Sequence, residues 1–217
     1  MIYKLTLSIF ILISIYHNSF NSQNDLLQDT IIRKDTIIRK DTSNKTTKFR
    51  QNTSEVTIKF DNTKLSPLNV RIIFNDFFKK YTGIKESLVY NDSYGAGSKT
   101  LTLLDEMKSK SDEVLKDTKD ARWEIFMQNY NSIRSKVQDI KFIDDQRFTF
   151  NEISRGLEGF IKQHGLHDKT IYLMYCKDDA TGKNLNWLSD KKDNKNPYTG
   201  IMNDTGNVIL KETWIFE

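Results

Sequence analysis

The sequence predicts a mainly α protein: an antiparallel four-helix bundle closed by an irregular C-terminal segment with one or two short strands. Three observations predict it. Between residues 70 and 161, apolar side chains recur at three- and four-residue spacing, the period of a helix with one buried face. Gly, Asn and Asp interrupt that pattern at intervals that suit short joints between neighbouring helices. Proline, which breaks helices, occurs only twice in 217 residues.

The first element is residues 1–23. Lys4 supplies a positive start, residues 5–16 are apolar, and His17, Asn18 and Ser19 turn polar at once. That is the layout of a secretory signal peptide, and the apolar run is shorter than the roughly 20 residues a spanning helix needs. An uncleaved anchor is the other reading of the same residues. Either way the chain is expected to be exported, to the periplasm or beyond.

Residues 24–65 read as a low-complexity tether. Residues 29–34 spell Asp-Thr-Ile-Ile-Arg-Lys, residues 35–40 repeat the same six, and Asp41-Thr42 begins a third copy. Two short copies are too few for a solenoid. The Ile pairs could form a transient strand or a docking peptide. Val56, Ile58 and Phe60 alternate with polar neighbours, as in a short strand.

Residues 66–217 are the expected helical domain. Ser66 reads as an N-cap with Pro67 in the first turn. Val70, Ile73, Phe74, Phe77, Tyr81, Ile84 and Leu88 then form one stripe, which ends before Gly95 and Gly97. Leu101, Leu104, Met107, Val114 and Leu115 mark a second helix. Trp123, Phe126, Met127, Tyr130, Ile133 and Val137 mark a third, opened by Asp120. The fourth runs over 144–164 with Phe148, Ile153, Leu157, Phe160 and Ile161 inside and Gly165 as its C-cap. Residues 171–176 read as a buried strand. A long polar loop and a short apolar end at 208–210 and 214–216 complete the chain.

Charge and composition exclude several classes. The net charge of +4 comes from the N-terminal part: residues 24–65 carry nine Lys+Arg against six Asp+Glu, and residues 66–217 carry 23 of each. No basic domain is left to read nucleic acid. One cysteine excludes an internal disulfide and a cysteine-rich zinc site.

The chemical motifs are few. The run Gly95-Ala-Gly-Ser-Lys-Thr100 lacks the spacing and preceding strand of a phosphate loop and reads as an interhelical turn. His164 and His167 flank a helix end and are outside candidates for a metal. Cys176 has no evident base and orienting partner for nucleophilic catalysis. The acid pairs Asp144-Asp145 and Asp178-Asp179 point apart on any regular backbone. A non-enzymatic domain is therefore expected.

The C-terminal third is the distinctive part. Tyr172-x-x-Tyr175-Cys176 is followed by Trp187-Leu188-Ser189, then Asn196-Pro197-Tyr198-x-Gly200-x-Met202, then Gly206. Asn-Pro and Gly fix irregular backbone, and Tyr175, Trp187 and Tyr198 can pack it onto the helices. Cys176 and Met202 are soft donors that suit Cu(I).

From about residue 66 to 206 the chain resembles an uncharacterised family of exported bacterial domains. These occur alone or attached to periplasmic adaptor subunits of heavy-metal efflux pumps. The family's pattern is a run of amphipathic helices, then Y-x-x-Y-C-P-M-A, a Trp-Leu-Ser, an N-P-Y-x-G-x-M and a final C-G. The end of the first helix, residues 85–89 (Lys-Glu-Ser-Leu-Val), fits as well. The resemblance implies a part in copper or other heavy-metal handling, with Cys176 and Met202 as ligands. It departs from the family where Lys177 and Asp178 replace Pro and Met, and where Thr205 replaces the second Cys. Met174, two residues before Cys176 on the same strand face, could stand in. The partners expected are heavy-metal efflux components or another envelope protein. The second reading is an envelope protein-interaction module that keeps the fold and has lost the metal site.

Overall fold

A computed structural model describes residues 30–33, 56–139, 142–177, 182, 184–193, 195–200 and 208–217. The chain divides into residues 1–30 and 31–217. The signal-like segment 1–23, the second copy of the repeat, Met202 and Gly206 lie outside the described residues.

The apolar stripe of the first helix does what its spacing predicts. Helix α1, Leu68–Val89, buries Val70, Ile73, Phe74, Phe77, Tyr81, Ile84 and Leu88 on one face. Its start differs from expectation. Ser66 does not cap it; Pro67 holds the N-cap position and no side chain accepts from the first turn. The Ser66 hydroxyl is instead bonded to His164.

Asn91 adopts a left-handed conformation (φ 58°) and turns the chain into α2, Ser93–Ser109. Asp92 caps α2 by accepting from the Gly95 N–H at 2.8 Å. The Gly95–Thr100 run therefore forms the first turns of a helix, which corrects the expected interhelical turn. A Cβ on Gly97 would come within 2.7 Å of Gln146 Nε2, so this helix face meets Gln146 closely.

The expected second and third helices are each broken in two. Lys110 (φ −96°, ψ 0°) separates α2 from α3, Ser111–Thr118, and Asn129 separates α4, Ala121–Gln128, from α5, Tyr130–Asp139. Both breaks let short pieces turn Val114, Trp123, Phe126 and Tyr130 inward. The long α6, Ile143–His164, ends at Gly165 (φ +80°), whose N–H returns to the Ile161 carbonyl at 2.8 Å. Phe148, expected inside α6, is 62 % exposed.

The larger correction concerns the strands. The C-terminal segment is a sheet, so the architecture is helices packed on a sheet rather than a four-helix bundle with an irregular cap. The strands are β1, Thr30–Arg33; β2, Val56–Phe60; β3, Lys169–Lys177; β4, Asn184–Ser189; and β5, Ile209–Phe216. They lie in the order β1-β2-β5-β3-β4. The pair β2 and β5 is parallel, and β3 is antiparallel to both β5 and β4. The expected strand at 56–60 thus belongs to the folded part, with Ile58 and Phe60 in the core and Phe60 stacked on Phe216. Part of the expected polar loop is β4, whose Trp187 and Leu188 are buried. Phe74, Phe77, Trp123, Phe126 and Phe160 form one aromatic cluster between α1, α4 and α6. Among the described residues no helix is long and apolar enough to cross a membrane.

Candidate functional site

The sulfur pair is set by β3. Opposite β4 its register is regular from Tyr172 to Lys177, with Met174 facing Trp187 and Cys176 facing Leu185. Residues two apart on a strand share a face, so Met174 and Cys176 are neighbours. Both are buried, at 3 % and 2 % exposure. A bulge against β5 falls between Leu173 and Met174. It lets two successive residues, Leu173 and Met174, both reach the interior, with Cys176 following two residues later.

The Asn196–Gly200 turn closes over this strand. Asn196 Oδ1 accepts from the Tyr198 N–H at 2.9 Å and lies 3.8 Å from Cys176 Sγ, an S–H···O contact. The Asn196 carbonyl accepts from the Gly200 N–H at 3.0 Å. Asn196 and Pro197 are buried, and the Pro197 carbonyl accepts from Arg147 Nε at 3.1 Å. Gly200 has φ +77°, and a Cβ there would meet Asn91 Oδ1 at 2.6 Å, so only glycine fits without strain.

The remaining motif residues meet at the same place. Tyr198 donates to the Asn186 carbonyl at 2.9 Å, and its ring lies 5.9 Å from Trp187 and 5.8 Å from Phe150. Tyr81 shares a hydrogen bond with Ser154 at 2.7 Å and accepts from the Leu188 N–H at 3.2 Å. Burial pushes the Tyr81 and Tyr198 phenols above their ordinary range, so both stay neutral. Tyr175 faces Asn186 across the β3–β4 pair and is partly buried. Among the described residues the buried indole N–H of Trp187 has no hydrogen-bond partner. These residues share one sequence motif. Lys85, in the other matching piece, bonds Ser189 of the Trp-Leu-Ser at 3.0 Å, a contact without a local sequence signal.

The chemistry of the place is soft and dry. Two buried sulfurs, one thiol and one thioether, share a strand face, and the Asn196 amide oxygen lies 3.8 Å from the thiol. Among the described residues no three His, Cys, Asp or Glu side chains gather into a metal-binding group. The histidines do not join the sulfurs. His164 Nδ1 is bonded to Ser66 Oγ at 2.9 Å and Nε2 to Asp120 Oδ2 at 2.8 Å. His167 is half-exposed, with Nδ1 3.5 Å from Asp168. The helical part carries the likeness to known proteins. No curated protein and no solved structure matches the chain. Residues 77–169, from within α1 to the first residue of β3, match a family described as Protein of unknown function (DUF3347).

Proposed function

We propose that the chain is an exported accessory of heavy-metal handling that carries Cu(I) on soft sulfur, with Cys176, Met174 and Met202 as ligands. The observation that supports it is the pairing of Met174 and Cys176, two buried sulfurs on one strand face. Thiolate and thioether donors in a dry setting favour Cu(I) over harder ions. Asn196 ties its turn to Cys176 and ends it at Gly200. Met202 follows two residues later in the sequence. The signal-like start and the motif likeness to domains attached to efflux adaptors agree with this role. The test is a Cu(I) titration of the reduced protein against a competing chromogenic chelator. One-to-one binding that a Cys176→Ala, Met202→Ala variant loses supports the reading; wild type and variant behaving alike rejects it.

A second reading, a protein-interaction module of the envelope, is favoured by a different observation. Tyr90 (56 %), Tyr94 (89 %), Phe142 (73 %) and Phe148 (62 %) are exposed. Arg147 bonds Asn91, between the two tyrosines, at 2.6 Å and Asp144, between the two phenylalanines, at 2.9 Å. Aromatic residues around an arginine are the composition of interface hot spots. The partner would be an efflux component or another envelope protein. A photoreactive residue at Phe148 should give one discrete adduct in the envelope, lost on Tyr94→Ser; no adduct rejects this reading.

A further inference from the structure

We propose that Ser66, His164 and Asp120 form an activated-serine centre that accepts acyl groups from esters. This goes beyond the sulfur site and uses none of its residues. The three side chains stand in line: Asp120 Oδ2 to His164 Nε2 is 2.8 Å, and His164 Nδ1 to Ser66 Oγ is 2.9 Å. Asp120 and His164 are buried, while Ser66 at the end of the line is partly exposed.

The hydrogen-bond inventory decides the roles. Asp120 is ionised and only accepts; its Oδ1 already takes the Arg122 N–H at 2.9 Å. His164 Nε2 must therefore carry the proton that faces Asp120. In the neutral imidazole Nδ1 is then the acceptor for the Ser66 hydroxyl, the tautomer a general base needs. The Phe74 ring lies against the imidazole at 5.3 Å and 15° and fixes its plane. The Ser66 N–H donates to the His164 carbonyl at 3.2 Å and fixes the serine backbone.

Two further features suit acyl transfer. Ser66 stands one residue before Pro67, the N-cap of the 22-residue α1, and that cap position offers no side-chain hydrogen bond. The positive end of α1 is thus left beside the hydroxyl, where negative charge develops in the reaction. Leu68 and Ile72, one turn apart on α1 and 48 % and 45 % exposed, offer apolar surface to a short acyl chain.

In the step, Ser66 Oγ bonds to the acyl carbon as the ester's bond to its alcohol oxygen breaks. The hydroxyl proton passes to His164 Nδ1 and from there to the departing alcohol. Water then attacks the acyl-Ser66 ester, giving up its proton through His164 in the same way, and releases the carboxylic acid with the serine restored. Ser66 and His164 are the catalytic residues, and Asp120 is a positioning residue.

The test uses the full chain with two probes, a fluorophosphonate and p-nitrophenyl acetate. Folded wild type should take one fluorophosphonate, mapped to Ser66, and Ser66→Ala should take none while still melting cooperatively. Asp120→Asn should lower kcat for the acetate ester at least tenfold with KM within twofold. No labelling of folded wild type above the urea-unfolded chain overturns the proposal, as does labelling at another residue. An Asp120→Asn variant that folds and keeps wild-type kcat overturns the assigned role of Asp120. Labelling of the wild type decides the matter even if a variant fails to fold.

Discussion

The Lys85 ammonium donates to Ser189 Oγ at 3.0 Å, and both side chains are fully buried. The bond ties α1 to the end of β4. Glu86 Oε1 at 3.5 Å and Asp190 Oδ1 at 3.9 Å offset the charge. Ser189 is fully used, since it also donates to the Lys191 carbonyl at 2.7 Å and accepts from the Lys191 N–H at 3.1 Å. Removing the hydroxyl leaves a buried cation short of a partner, whereas removing the cation leaves Ser189 still bonded. Ser189→Ala should therefore cost about 1–3 kcal/mol and more than Lys85→Met. Urea unfolding of the two variants checks the order; a Lys85→Met variant that is the less stable contradicts it.

Acid should loosen the joint between α4 and α6. Burial raises the Asp120 pKa, but the hydrogen bonds from His164 and the Arg122 N–H outweigh it and hold the carboxyl below its ordinary 3.8. A depressed carboxyl pKa gives stability that is present at neutral pH and lost as pH falls through the folded value. The melting temperature should drop more steeply below about pH 4 in wild type than in Asp120→Asn. Parallel curves would rule out Asp120 as the source.

Glu158 should act in the opposite sense. Burial is the main influence on it and raises its pKa, with Lys211 opposing and Glu212 adding. A raised carboxyl pKa gives stability that is lost as pH rises, so the ionised side chain is a cost at pH 7. Glu158→Gln keeps an acceptor for Asn186 Nδ2, which stands at 3.5 Å. The variant should melt higher than wild type at pH 7 and no higher at pH 4. A lower melting temperature at both pH values contradicts the assignment.

Gly200→Ala should release the Asn196 turn. The new Cβ would sit at φ +77° and 2.6 Å from Asn91 Oδ1. Left-handed strain alone costs about 1–2 kcal/mol, and the contact adds to it. Loss of stability with faster alkylation of Cys176 is expected, because Asn196 covers that sulfur. An unchanged alkylation rate would separate the turn from the cysteine.

The legible and illegible parts of the fold divide along physical lines. All seven residues of the α1 stripe are buried, because a long helix with one apolar face is specified by local spacing alone. The breaks were not legible because Lys110 does not mark a helix end and Asn129 lies inside an apolar period that runs on from Phe126 to Ile133. Strand β4, Asn-Leu-Asn-Trp-Leu-Ser, reads as loop because its alternation lasts only four residues and breaks at Leu188. The parallel pairing of Val56–Phe60 with residues 212–216 joins the two ends of the domain, which no local pattern encodes. At the site, Met174 and Cys176 were legible from residue type and spacing. Asn196 was legible only as a turn former, and its approach to Cys176 follows from the fold. The line from Ser66 through His164 to Asp120 spans separations of 98 and 44 residues and left no sequence signal beyond three helix-end residues.

The most direct measurement is X-ray absorption at the copper edge of the reduced protein loaded with one equivalent of Cu(I). A coordination shell of two or three sulfurs, reduced by one in Met174→Leu and by one in Cys176→Ala, is the predicted result. A shell of nitrogen or oxygen alone, or a sulfur count that neither substitution changes, would contradict the site at Met174 and Cys176.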